Sequence, residues 1–517
     1  MQEICIPAVD FLFTPQDASG SPVLIACAKW SQAENISTPS HKAITAHRAG
    51  AVGIQSFRNK HLLLQDKKQA LVRIWSHVFC LILEEVSMIG PSMYNMLLFR
   101  SFHGRRERWQ VQESQYNKLE GAFGRMPIVI QLGDFLQLKP TASAVSLITD
   151  PKDLEALCDD DYPAEYQEAM KLFGRTQLCF ELQASNRFKE ERLRNLMNFM
   201  RQPGKSVPAA VAQAWEDIRL KPADPRLRQK NFQEGHMLGI YWETVARWMA
   251  MRAKRDAKSL RTPLILVQAA DAATPLMPPD VAKKLMNKAN PKDSGGMHGM
   301  FCVHLGMHMR LLEALDKDKG LVKDAEGVLV HIAFHPADQE SAAVAMATGA
   351  ERIYLKHLPL GFWLRMDKFD HNPCGQILGS ASQGLVFVEP RSSDSFVFRS
   401  HRVIRTAFPC SHARVITCTA CQGRTMRAGV VIDCGRHETG QTKKEDPDWW
   451  LDLYVMLSRA TCLQDVATLR APPVEFLLQG PPPDLRKRLG EFAKRAAGGR
   501  SKAEKLAREL GFDQFLH

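Results

Sequence analysis

Val78-Phe79-Cys80-Leu81-Ile82-Leu83-Glu84-Glu85-Val86-Ser87-Met88 is the stretch that decides the fold class. Six apolar residues in a row read as a strand buried on both faces, the pattern of a parallel sheet, and the run stops at two adjacent carboxylates. In open α/β sheets, ligands sit beyond the carboxyl ends of the strands, so an acidic pair there is placed to hold a metal-bound nucleotide. One acid of such a pair ligates Mg²⁺, directly or through water, and its neighbour orients or deprotonates the attacking water. A buried strand followed by a solvated acidic turn has the same local pattern, so neighbouring segments must decide.

Ile128-Val129-Ile130-Gln131-Leu132-Gly133-Asp134-Phe135-Leu136-Gln137-Leu138-Lys139-Pro140 supplies the context. A second buried strand ends in Gly-Asp, with a glutamine shortly after. Gly133 permits close backbone approach, Asp134 suits a Mg²⁺-associated water or a neighbouring group, and Gln137 is a neutral side chain able to sense a terminal phosphate. Upstream, Val23-Leu24-Ile25-Ala26-Cys27-Ala28 reads as a buried strand followed by a Ser/Thr/Pro-rich turn. Lys42 to Arg48 reads as a helix or turn with a basic end, and Leu62 to Trp75 has helical spacing. Arg100 to Trp109 interleaves basic residues with Phe102 and Trp109, which suits either a phosphate-gripping, base-stacking surface or a solvated face.

The chain has 517 residues, enough for about three or four domains. Its apolar fraction of 45% and charged fraction of 24% describe an ordinary globular protein. A net charge of +12, with pI near 9.1, favours a polyanionic partner, nucleic acid first among them. The 12 cysteines are scattered, with no secretory signal, as a reducing compartment permits. No apolar run approaches the ~20 residues of a membrane span, and the N-terminus lacks the marks of a signal or transit peptide. A soluble intracellular protein is expected.

Taken together, Leu81 to Ile89 and Gln131 to Pro140 resemble motifs II and III of the Pif-type and RecD-type DNA helicases of superfamily one. Thr45-Ala46-His47 resembles the Thr-x-His element between motifs I and II of those enzymes. Leu182-Gln183-Ala184-Ser185-Asn186-Arg187-Phe188, followed by Leu196 to Gly204, resembles motif IV and its following helix. Val415 to Thr425, ending in Gln422-Gly423-Arg424-Thr425, is similar to motif V, with Thr419 and Ala420 where the family commonly has His and Lys. Leu453-Tyr454-Val455-Met456-Leu457-Ser458-Arg459-Ala460-Thr461 resembles motif VI and is expected to be a buried strand delivering Ser458 and Arg459. The Gly-punctuated alternation from Val303 to Val330 reads as β-rich and resembles the start of the family's barrel-like insertion, which contacts single-stranded DNA.

The resemblance implies an α/β fold of P-loop NTPase type, with two RecA-like domains of parallel sheets and a small β-rich insertion in the second. Expected boundaries are 1–180 for the first domain, 181–300 and 400–480 for the second, 301–399 for the insertion and 481–517 for a basic helical tail, which its charge suits to extending a DNA-binding surface or simply to solubilising the terminus. It also implies ATP-driven 5′-to-3′ translocation on single-stranded DNA with duplex unwinding, acting as a monomer at junctions in DNA repair, recombination or telomere maintenance, in a nucleus or mitochondrion if the source is eukaryotic. Glu85 would be the general base, Glu84 the Mg²⁺-site acid acting through water, Gln137 the phosphate sensor, and Arg187 with Arg459 the transition-state arginines. Gly133, Asp134 and Gly423 would line the ATP site; Thr45, His47, Gln422 and Thr425 would meet DNA. A non-catalytic nucleic-acid-binding relative and a P-loop ATPase uncoupled from DNA remain as alternatives.

The sequence departs from the family in two further places. No Gly-x₄-Gly-Lys-Ser/Thr loop occurs; Gly204-Lys205-Ser206 is the only Gly-Lys pair and has Phe199 where the first glycine belongs. In the family that loop would lie before Thr45, near or beyond Met1, so a chain truncated or degenerate at its start is expected. Glu84 stands where the family usually has aspartate. Cys418-x₂-Cys421 and Cys434-x₂-His437 have zinc-like spacing, but they fall within the motif V match and at a strand end, so their ligands need not converge.

Overall fold

Val23–Cys27 and Cys80–Glu84 are apolar up to their last positions, and each is a strand whose side chains are buried almost throughout. The computed structural model describes residues 22–38, 41–51, 65–116, 118–137, 140, 145–149, 164–176, 178–181, 187–316, 319–367, 369, 383–435 and 447–509. The chain forms two compact units, one of Met1–Ala214, Gln441–Ser458 and Val474–His517, the other of Trp215–Gly440 and Arg459–Pro473. Residues 181–214, expected with the second domain, fall in the first unit, as do 441–458 and 474–517.

In the first unit β1 (Val23–Cys27), β2 (Ile44–Thr45), β3 (Cys80–Glu84) and β4 (Ile128–Gln131) form a parallel sheet in the order β2-β1-β3-β4. Parallel neighbours need crossovers, and helices supply them. Trp30–Ile36 lies between β1 and β2, α1 (Gln65–Trp75) between β2 and β3, and α2 (Pro91–Trp109) between β3 and β4. Pro91 opens α2 at a position where its missing N–H costs nothing. The Lys42–Arg48 segment splits into β2 and a single helical turn, Ala46–Ala49. The start of the expected Leu62–Trp75 helix lies outside the described residues.

The last turn of α2 exposes Arg106 and Arg108, as the solvated reading of the basic cluster has it, but the preceding part of the helix corrects both readings. Arg105 is fully buried, and Arg100 and Phe102 nearly so, so this part of the helix presents neither a phosphate-binding nor a solvated face. Arg105 Nε donates to the Gly124 carbonyl at 2.8 Å, and Nη1 donates to the carbonyls of Trp75, at 3.2 Å, and Val78. Its guanidinium lies 4.6 Å from the Trp109 ring centroid. A guanidinium with five donors can satisfy three carbonyls from two separate segments at once, and composition alone does not reveal that need. Further along, α3 (Glu191–Arg201) buries Leu193, Leu196, Met197 and Met200 along one face.

The second unit contains, in chain order, β5 (His236–Gly239), β6 (His308–Leu311), β7 (Glu326–Ala333), β8 (Gly361–Met366), β9 (Leu385–Val388), β10 (Cys410–His412), β11 (Val415–Thr417), β12 (Val430–Asp433) and β13 (Val466–Leu469). A parallel sheet has the order β11-β5-β12-β13. β5 is a four-residue strand that follows Gly235 and ends at Gly239, too short to show alternation in the sequence. It leads into α4 (Trp242–Leu260). Trp215 donates to the Pro472 carbonyl at 3.1 Å and Trp248 to Asp433 at 3.0 Å, so these indoles serve the packing of this unit.

The β-rich stretch is an antiparallel five-stranded module in the order β9-β8-β7-β6-β10, with a register shift between Leu329 and His331. Antiparallel pairing extends past both expected limits of the insertion, since Ala270–Thr274 pairs with His401–Ala407 and β10 ends at His412.

Two later helices belong to the first unit. α5 (Pro447–Leu457) overturns the expected strand before Ser458. A short apolar run cannot be assigned by periodicity alone; Pro447 with Asp448 in the first turn is the helix-start signal that decides it. α6 (Pro483–Glu509) is not merely a solubilising tail, because Leu485 and Phe492 pack on the core of this unit. The Phe492 ring stacks on Phe135, with centroids 5.9 Å apart and planes at 6°. At Gly499 a Cβ would lie 2.1 Å from the Cys179 carbonyl oxygen, so only glycine lets the helix pass.

Candidate functional site

At the carboxyl edge of the first sheet, Cys27 stands opposite Thr45 on one side and Glu84 on the other. Thr45 and Glu84 therefore occupy one level across three strands, where open parallel sheets hold ligands. The chain leaving β4 is laced onto the turn leaving β3: Leu132 N–H donates to the Leu83 carbonyl and Val86 N–H to the Leu132 carbonyl, both at 2.8 Å. Glu85 adopts left-handed backbone angles (φ 54°, ψ 49°), which cost a non-glycine residue about 1 kcal/mol and turn the chain off the strand. Gly133 makes the close approach expected of it, since a Cβ there would lie 3.0 Å from the Val86 nitrogen and 3.1 Å from that of Ser87.

The Gly133–Gln137 segment is a closed turn. Asp134 Oδ1 accepts the Leu136 N–H at 3.0 Å, and its carbonyl accepts the Gln137 N–H at 3.0 Å. Asp134 Oδ2 accepts Arg201 Nη1 at 3.1 Å, and the same nitrogen lies 3.1 Å from the Tyr454 hydroxyl on α5. Gln137 is buried, and its Oε1 has no hydrogen bond among the described residues. Arg187 Nη1 donates to the Ser458 carbonyl at 3.2 Å. Thr45 Oγ1 caps the short helix by accepting the Arg48 N–H at 3.2 Å, and His47 is half-buried within it.

Burial, and then the neighbouring Glu85 charge, push the Glu84 carboxyl up to about 7. Glu84 Oε2 is buried without a hydrogen bond among the described residues. Burial, followed by the charges of Glu84 and Glu85, also pushes the Cys27 thiol well above its usual range, so it stays protonated beside them. A carboxylate held in this state gains from a cation, and oxygen donors beside an un-ionised thiol fit a hard ion such as Mg²⁺.

In the second unit, Thr417 Oγ1 caps the single turn Cys418–Cys421 by accepting the Ala420 N–H at 3.4 Å. Gln422 is buried, Gly423 takes φ 81° as only glycine readily does, and Thr425 is exposed. Arg459 is buried; its Nη1 donates to the Arg424 carbonyl at 3.3 Å, and its own carbonyl accepts the Met426 N–H at 2.9 Å.

No group of three or more metal-ligating side chains occurs among the described residues, and the buried Cys421 donates to the Cys418 carbonyl. His437, the fourth residue of the zinc-like spacing, lies outside the described residues, as do Leu182 to Asn186 of the motif IV match. No helix among the described residues is long and apolar enough to cross a membrane. Sequence reasoning did not single out Arg201, Tyr454 and Arg424 as structural partners. Arg424 was visible only as the variable residue after Gly423, and nothing in its neighbourhood names Glu326 as its acid.

These features define an α/β fold of P-loop NTPase type, with parallel sheets of RecA-like domains. More particularly, the fold is that of Pif1 helicases. It is similar to Bacteroides Pif1 helicase in complex with ADP-AlF3 and single-stranded DNA, at 15% identity over 95% of this chain and 91% of that chain, TM-score 0.57. Bacteroides Pif1 bound to single-stranded DNA gives 15% identity, 95% and 91% coverage and TM-score 0.56. A Pif1 helicase described in DNA unwinding at forked duplex DNA gives 15%, 95% and 90%, with TM-score 0.53. No protein-family model and no curated protein matches the sequence.

Proposed function

We propose that this chain is an ATP-dependent 5′-to-3′ translocase on single-stranded DNA that opens duplex at junctions. The observation that carries the reading is the row at the sheet edge, where Thr45 and Glu84 share one level and Gly133 brings the Gln137 turn onto the acidic turn. Its support from outside is the Pif1 helicase fold, known from chains bound to single-stranded DNA and to ADP-AlF3.

In this reading Glu84 holds Mg²⁺ through water, and the ion would neutralise phosphate charge when bound. Glu85 takes the proton of the attacking water, and Gln137 orients that water or the terminal phosphate through its amide oxygen, which has no hydrogen bond among the described residues. Arg187 and Arg459 offset the charge that develops on the transferred phosphoryl group. Thr45, His47, Gln422 and Thr425 are the proposed DNA contacts; Gly133, Asp134 and Gly423 shape the nucleotide side. The protein is read as a soluble monomer.

A second reading, DNA binding without hydrolysis, is favoured by one observation. Glutamate at 84 sets its carboxylate one methylene further out than the family's aspartate, in chemistry where an ångström matters.

ATP turnover measured with and without single-stranded DNA separates the two. The translocase reading expects DNA-stimulated turnover that Glu85→Gln abolishes while DNA affinity stays within about twofold. DNA affinity without any turnover supports the second reading; turnover indifferent to DNA points to an uncoupled ATPase. Affinity should also fall steeply with salt, since phosphate contacts release counterions.

A further inference from the structure

One side chain joins the Gln422–Thr425 turn to the five-stranded module. The Arg424 guanidinium is ion-paired with Glu326, the first residue of β7, and lies 4.0 Å from Asp324 Oδ1. Arg424, Glu326 and Asp324 side chains are only 17%, 29% and 15% exposed, so solvent screens the cluster weakly. Asp324 is held from the module side by Arg310, a buried arginine on β6, at 2.6 Å. The acids thus form a fixed anchor.

The backbone of the same residue holds Arg459. Arg459 Nη1 donates to the Arg424 carbonyl, while Met426 N–H closes the loop onto the Arg459 carbonyl. If Arg459 moves, the Arg424 peptide must follow or lose that bond. If the peptide follows, the ion pair pulls on the start of β7, and Gly423, already at positive φ, is the point where the turn can pivot.

We propose that Arg424 is a positioning residue that couples Arg459 to the five-stranded module, so that a change at Arg459 is transmitted to β6 and β7. The role given to Arg459 rests on the nucleotide reading above; the mechanical coupling does not. A pair that only staples the turn would loosen the module when broken but would not relay what happens at Arg459.

Amide hydrogen exchange on the full-length protein tests this without nucleotide. Arg459→Lys is expected to change exchange across residues 326–333 at least threefold, and to leave it unchanged in an Arg424→Gln background. The charge swap Arg424→Glu with Glu326→Arg is expected to restore the response, and also guards against a misfolded single variant. The coupling is overturned if Arg459→Lys leaves 326–333 unchanged in the parent, or changes it equally without Arg424. A parallel titration with ADP, aluminium fluoride and Mg²⁺ reports separately on nucleotide binding, so that reading can fail while the coupling stands.

Discussion

Arg201, at the last position of α3, reaches the Asp134 carboxylate at 3.1 Å and ties the turn after β4 to a helix 67 residues further along the chain. The Tyr454 hydroxyl takes the same guanidinium nitrogen, so three segments meet on one side chain. The pair is partly open to solvent, at 36% and 29% side-chain exposure, and its Coulomb energy is discounted accordingly. Arg201→Ala is expected to destabilise the protein by about 1–2 kcal/mol, mostly through charged hydrogen bonds lost. Arg201→Lys should recover less than half of that, read from urea unfolding midpoints. An unchanged midpoint in Arg201→Ala would mean that the bridge adds nothing to stability.

Gly133→Ala forces a methyl group against the Val86 and Ser87 nitrogens. Such overpacking typically costs about 1–3 kcal/mol, and here the part that gives way is the turn carrying Glu85. Thermal unfolding should show that loss. Gly490→Ala is the control: nothing lies within 4 Å of its added methyl on α6, and a gain of about 0.5–1 kcal/mol is expected.

Glu84 gives stability a pH dependence opposite to that of a salt-bridged acid. Its carboxyl is raised from 4.5 to about 7, so between those values the folded protein keeps a proton that the unfolded chain releases. Stability from this group is therefore fully present below about pH 4.5 and is lost as pH rises through about 7. Urea midpoints taken in EDTA should fall across that window, and Glu84→Gln should flatten the fall. Added Mg²⁺ should reduce it, because a bound cation favours the ionised form.

Arg105→Met strips hydrogen bonds from the buried carbonyls of Gly124, Trp75 and Val78. At about 1–3 kcal/mol for each buried group left unpaired, a loss near 3 kcal/mol is expected even though the methionine fills much of the volume. Arg105→Lys, with a single ammonium, should rescue only part of it. A variant as stable as the parent would show that water replaces the guanidinium.

The sheet strands and the acidic turn were legible because their signals are local. Val78 to Leu83 is apolar without interruption, and Gly133 marks a close approach whatever approaches it. Segments whose state depends on distant partners were not legible. Leu453 to Leu457 is apolar enough for either strand or helix, and β5 carries too few residues to show a period. Arg105 looked like surface charge because the carbonyls it serves come from other parts of the chain. The acid that receives Arg201 and the one that receives Arg424 lie 67 and 98 residues away, beyond anything composition or spacing encodes.

The docking of α6 has a consequence for the order of events during synthesis. Cys179 Sγ meets the Phe492 carbonyl across a separation of 313 residues, and the Phe135 ring is stacked by Phe492 from the far end of the chain. The earlier half of the polypeptide therefore leaves the ribosome with an apolar seam uncovered, and finishing its core waits on residues made after the whole of the other unit. Contacts of such long span slow folding and prolong exposure to aggregation. A nascent chain arrested before Pro483 should engage chaperones more persistently than one arrested after Glu509.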